Sequence, residues 1–167
     1  LVSSRKPFGI PTNAKVRENK EKGDIFIYGY PKNGYVNQEE CKSGENFIKQ
    51  HKVFISYAYG ERGSFPYLVL GKPFVGEPNT VCTETYLAIG PFENKEVCEN
   101  VLSYMNTKFF RFLVLLRKNT QHATSHVYDF VPQIDFNRTW DDDELNKMFG
   151  LSRQEAAFID LMVREPS

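Results

Sequence analysis

The stretch Met105-Asn106-Thr107-Lys108-Phe109-Phe110-Arg111-Phe112-Leu113 lies at the centre of the longest helical pattern in the chain. Apolar residues recur at Val97, Val101, Met105, Phe109, Phe112, Leu113 and Leu116, a spacing that gathers them on one wide stripe of a helix from about Asn94 to Lys118. Asn106-Thr107-Lys108 interrupts the stripe in its middle. The pattern predicts a central core helix with Lys108 and Arg111 on its polar side. Any α+β core contains such a helix, so its periodicity by itself says nothing of function.

The segments before it read mostly as strands. Residues 1–23 combine Pro7, Gly9 and Pro11 with a charged run from Lys15 to Lys22, which predicts an extended leading segment followed by a solvated loop. Asp24-Ile25-Phe26-Ile27-Tyr28 is a strand, and Pro31-Lys32-Asn33-Gly34 turns it into Tyr35-Val36, because Asn-Gly tolerates positive φ. Asn37-Gln38-Glu39-Glu40 carries an N-cap acceptor with Glu three residues on, and predicts a short helix toward Gln50. Further strands are expected at 52–59, 68–75 and 83–89. After the long helix come two short ones, started by Asp141-x-x-Glu144 and Ser152-x-x-Glu155, with Gly150 ending the first. The expected fold is α+β, a twisted, mostly antiparallel sheet packed on the long central helix. Residues 1–167 form one domain, and 139–167 its C-terminal pair of short helices.

Composition narrows the function. In 167 residues, 41% of them hydrophobic, there is material for one ordinary core. No apolar run reaches the roughly 18 to 20 residues that span a bilayer, which argues against a membrane partner. The chain opens on Leu1 with polar residues and no apolar signal segment, so it reads as part of a longer protein. Three cysteines, Cys41, Cys82 and Cys98, are odd in number and lack zinc-site spacing, which favours reduced thiols and a cytoplasmic location. Net charge is zero, unlike that of a typical free-standing nucleic-acid binder. Its distribution is uneven, however. Residues 1–72 hold 12 Lys and Arg against 7 Asp and Glu, while residues 73–167 hold 9 against 14. No acid occurs between Glu99 and Asp129, where Lys108, Arg111, Arg117 and Lys118 with His122 and His126 make a local basic island.

Catalytic motifs are missing. The chain has no glycine-rich phosphate loop, Gly-x-Ser-x-Gly elbow or paired Cys and His metal spacing. It also lacks an Asn-Pro-Pro-Tyr-type motif for holding a flipped base. His122 and His126 are four apart, as metal ligands on one helix face would be, but follow a helix end in a polar segment with no acidic ligand close by. The acidic cluster at Asp141–Glu144 is first a helix N-terminus, where negative charge is favourable. One enzyme alternative is a nuclease in which Asp24 with Glu40-x-Lys42 holds a divalent cation and activates water. That site would need a buried apolar strand, and Glu40 lies in a polar, helix-capping context.

Several segments, taken in order, resemble a known family. They are Ser3-Ser4-Arg5-Lys6-Pro7-Phe8-Gly9, Gly34-Tyr35-Val36, Lys52-Val53-Phe54-Ile55, Leu70-Gly71-Lys72-Pro73, Cys82-Thr83-Glu84-Thr85-Tyr86-Leu87, Asn106-Thr107-Lys108-Phe109-Phe110-Arg111-Phe112, and Val131-Pro132 before Trp140. Together they look like the target-recognition, or specificity, domain at the C-terminal end of TaqI-like adenine-N6 DNA methyltransferases and of type II restriction enzymes that fuse methylation, cleavage and recognition. Thr107 stands where that family frequently has Ser. The resemblance implies a non-enzymatic module that reads double-stranded DNA in the major groove for bacterial defence. Methyltransferase or nuclease domains of the same parent chain would supply S-adenosylmethionine and Mg2+ chemistry, with no cofactor or metal in this segment.

The resemblance also implies reading loops near 57–64 and 72–85. There Arg62 and Lys72 suit guanine O6 and N7, Asn79 suits adenine, and Glu61 suits cytosine N4. Tyr57, Tyr59, Ser64 and Thr83 complete the base-reading candidates, although Tyr57 and Tyr59 alternate on one strand face and serve equally as core or rim aromatics. Arg5, Lys6, Lys108, Arg111, Lys118 and Gln121 are the phosphate candidates. The competing reading is a protein-interaction module whose aromatic surface docks another subunit.

Overall fold

A computed structural model describes residues 1–59, 65–120 and 122–165. The strand β3, His51–Ser56, is its organising element. All four of its inner residues, Lys52, Val53, Phe54 and Ile55, are buried, so both faces of the strand are covered. Alternation assigns the two faces to different cores. Val53 and Ile55 pack into one with Leu87 and Ile89, while Phe54 packs into the other with Ala88.

Two three-stranded sheets replace the single sheet expected. The strand β4, Phe74–Gly76, and β6, Tyr86–Phe92, flank β3 antiparallel on either side. The hairpin β1, Asp24–Tyr28, and β2, Gly34–Asn37, forms as the Asn33-Gly34 turn predicts. Gly34 is required for closeness, because a Cβ there would lie 2.5 Å from the Arg17 carbonyl oxygen. The second sheet is completed by β5, Thr80–Cys82, which runs parallel to β1. The expected strand at 68–75 survives only as β4, and β5 is an additional strand.

The leading segment is more than a solvated loop. Phe8 and Ile10 are buried against Ile25, Ile27, Val36, Ile48, Val81 and Phe54 in the second core. The Asn37 capping box forms, but it starts only the short 3-10 turn Gln38–Glu40. Gly44, at φ +76°, then begins the separate helix α1, Glu45–Ile48.

The long central helix is two helices. The first, α2, Lys95–Met105, is capped by Asn94, whose side chain accepts from the Val97 amide at 2.9 Å. Thr107 leaves the helical conformation and caps α3, Lys108–Arg117, by accepting from the Phe110 amide at 3.1 Å. The other free amides at the start of α3, those of Lys108 and Phe109, donate to the Asp142 carboxylate at 3.0 and 2.8 Å. All three amides are thereby satisfied, so the chain turns a corner where periodicity predicted continuity. Asp142 belongs to α4, Asp142–Met148, and α5, Arg153–Met162, follows with the expected Ser152–Glu155 capping box. Gly150, at φ +67°, separates them. The helices cover the Val53 and Ile55 side of β3, with Val101, Tyr104, Met105, Phe110 and Val114 in that core. No helix among the described residues is long and apolar enough to cross a membrane.

Candidate nucleic-acid interface

Four of the expected DNA contacts meet on one face. Tyr57 follows β3, and its amide donates to the Thr85 carbonyl at 2.8 Å, which ties it to the turn before β6. The Arg5 guanidinium carbon sits 5.0 Å from the centre of the Tyr57 ring. Arg5 and Lys6 approach the Glu84 carboxylate at 3.3 and 3.8 Å, and Glu84 is the neighbour of Thr83. Lys6 adopts a left-handed backbone, φ +65°, inside the tight turn in which the Gly9 amide donates to the Lys6 carbonyl. The leading segment therefore folds two cations onto the end of the antiparallel sheet.

His122, expected in solvent or at a phosphate ahead of any metal role, joins this face through a ring stack. The chain returns after α3 to pair Ala58 with His122, and the Ala123 amide donates to the Tyr57 carbonyl at 2.7 Å. That bridge stacks the His122 ring on Tyr57, with centroids 5.0 Å apart and planes 24° off parallel. His122 and His126 consequently do not share a helix face. Beside Tyr57, Thr83 is buried, and its hydroxyl donates to Thr85 at 3.0 Å, so it builds the turn and offers little reach of its own. A cleft of about 510 Å³ opens next to Thr83, walled by Thr12, Lys15, Tyr30 and Lys32. Tyr30 is 68% exposed there.

The other candidates divide. Lys72 is exposed, directly after the Leu68–Gly71 segment. Asn79, at φ +60°, is exposed at the opposite end of β5 from Thr83. Glu61, Arg62, Ser64 and Gln121 lie outside the described residues. The three basic residues placed on phosphates from the long-helix pattern are all engaged by other groups of the protein. Lys108 pairs with Asp160 at 3.2 Å and Glu165 at 3.0 Å. Arg111 was expected on a polar helix face but is completely buried. Its guanidinium donates to the carbonyls of Leu68 at 3.1 Å, Leu70 at 2.7 Å and Gly71 at 3.3 Å, and to Asn106 Oδ1 at 3.4 Å. Lys118 donates to the Val69 carbonyl at 2.5 Å and to the Tyr59 carbonyl, and burial pushes its ammonium down to about 8. Neither Arg111 nor Lys118 is placed to meet a phosphate, because both cations are turned inward onto loop carbonyls. Tyr59 is half-buried, with its ring over Gly71, which fits a packing role.

Those carbonyls belong to a strained segment. Val69 has φ +60°, a left-handed conformation that a β-branched residue avoids, at a cost of roughly 1–3 kcal/mol. Its neighbours explain why 68–73 is not a strand: the carbonyls that would pair with an adjacent strand face α3 instead.

The alternative metal site is committed to local structure. Asp24 is held by the Arg17 guanidinium, with Nε at 3.0 Å, and also accepts from the Glu21 amide at 3.1 Å. Glu40 closes the Asn37 capping box at 3.2 Å, and the Lys42 ammonium donates to the Glu39 carbonyl at 2.9 Å. Among the described residues no three His, Cys, Asp or Glu side chains converge as a metal site. All three cysteines are free thiols. Searches against protein-family models, curated proteins and solved structures return no match to this chain.

Proposed function

We propose that this chain is the sequence-specific recognition domain for double-stranded DNA of a bacterial restriction-modification enzyme, acting in the cytoplasm. Methylation or cleavage would be carried out by other domains of the same protein, which would bring S-adenosylmethionine and Mg2+. The observation that carries this reading is the joining of Arg5, Lys6, Tyr57 and His122 on one face, beside Thr83. Two cations stand ready for phosphate oxygens, next to stacked rings suited to a sugar or base face. Glu84 balances the two cations in the absence of DNA, which fits a chain of zero net charge and a weak reader when detached from its host. The family resemblance of the ordered segments points the same way.

The test is selection of bound duplexes from a randomised library at low salt, with the survivors retested as salt is raised. Enrichment of one short sequence with a steep salt dependence is the expected result. Absence of any retention at low salt would overturn autonomous DNA reading.

A second reading, docking of another protein subunit, has its own support on the helical side. A groove of about 310 Å³ runs between Phe109, Leu113, Phe130 and Phe149, and Phe130 is 54% exposed. Association there would bury apolar surface and would respond weakly to salt, which separates it from DNA binding.

A further inference from the structure

We infer that Arg111 and Lys118 are positioning residues that preset the Leu68–Lys72 segment for base reading, an inference that rests on the DNA-reading proposal. Arg111 comes from α3 and Lys118 is the residue that ends it, seven positions on, and both point their cations at backbone and at no acid. Between them they take the carbonyls of Tyr59, Leu68, Val69, Leu70 and Gly71. Four consecutive residues thus have their carbonyls tied to α3 and its C-cap, and the left-handed Val69 lies in the middle of the run. A loop with its backbone held this way pays its ordering cost before it meets a ligand, the preorganisation that raises selectivity.

What the clamp presents is Lys72. Its side chain is exposed and has no hydrogen-bond or ion-pair partner among the described residues, immediately after the last clamped carbonyl. The Asn106-Thr107-Lys108 break acquires a purpose in the same terms. Thr107 turns the chain so that α3 points its Arg111 into the loop, and Asn106 Oδ1 accepts from that guanidinium. The residues that look like a DNA-contacting basic helix would act one step behind the contact.

Two measurements on Lys118→Met, Lys118→Arg and Arg111→Lys, with Lys147→Met as a charge-matched surface control, test the assignment. The first is amide hydrogen exchange without DNA. Faster exchange across 68–72 in K118M and R111K, with the β1–β2 hairpin unchanged, is expected, and K118R should stay near the wild-type rate. Unchanged exchange at 68–72 in both K118M and R111K would overturn the clamp, whatever the protein binds. The second is the ratio of affinity for the library-selected duplex to affinity for random duplex. K118M should lower that ratio about tenfold, the loss of one well-aligned base contact, while random-duplex affinity follows K147M. A wild-type ratio retained by K118M would overturn the positioning role. If the wild-type protein selects no sequence, the DNA-reading proposal falls, and the exchange result still decides whether the clamp exists.

Discussion

Asp142, in the first turn of α4, caps α3 by accepting the amide of Phe109 at 2.8 Å. One carboxylate thereby belongs to two helices, since the Lys108 amide reaches it too, at 3.0 Å. Asp142→Ala would leave two amides at a part-buried helix start without partners. The expected loss is about 1–2 kcal/mol, read as a lower urea midpoint with unchanged slope.

Lys52 makes a larger prediction. Its ammonium is fully buried and donates to the carbonyls of Phe47, Gln50 and Glu77 at 2.9, 3.1 and 2.9 Å, with Ile48 at 3.4 Å. Lys52→Met has the length to fill the space but no donor for four carbonyls, and should cost about 3 kcal/mol. Burial also pushes the ammonium down to about 8. The unfolded chain therefore holds this proton more tightly, so stability rises as pH climbs from about 8 toward the ordinary lysine value. The Cys41 and Cys98 thiols, raised by burial to about 11 and 12, act in the opposite sense at alkaline pH. The difference between wild-type and K52M melting temperatures across pH 8 to 10 isolates the lysine and should widen in favour of the wild type.

On the acid side the relevant pair is Arg17 and Asp24. The hydrogen-bonded guanidinium holds the Asp24 carboxyl below its ordinary value. Its contribution is present above the unfolded value, near pH 4, and is lost as pH falls through the folded one. Arg17→Met should remove that part of the acid limb of the stability curve, measured by thermal melts between pH 2 and 6.

For the proposed interface, Glu84 is the informative position. Glu84→Gln frees Arg5 and Lys6 for phosphates, so affinity for random duplex at low salt should rise and depend more steeply on salt. Arg5→Ala and Lys6→Ala should each lower the slope of log affinity against log salt by about one. A slope indifferent to all three substitutions would remove this face from DNA contact.

How far these features were legible in the sequence depends on how local their causes are. The β1–β2 hairpin, the capping boxes at Asn37 and Ser152 and the end of α4 at Gly150 depend on residues within a few positions, and sequence reading located them. The strand β5 escaped because three residues carry little pattern, and its parallel partner β1 is more than fifty positions away. At Thr107 the signal was present but misread: a threonine three residues before Phe110 can cap a new helix, yet the apolar spacing resumes in register after the polar break and reads as one helix. The burial of Arg111 was not legible at all. The carbonyls that receive it lie about forty positions upstream, and nothing local distinguishes this arginine from a solvated one. The same holds for His122, whose stack on Tyr57 depends on a bridge between distant segments.

With Phe54 facing one core and Val53 and Ile55 the other, β3 is a party wall. Neither side can melt while the other stays intact, because releasing one face withdraws the support of the second. The chain should accordingly lose its structure in a single cooperative transition, and the β3 amides should exchange only through global opening. A domain that unfolds as one unit gives its surface loops a common, rigid reference frame, which the proposed reading of one DNA sequence against another would require.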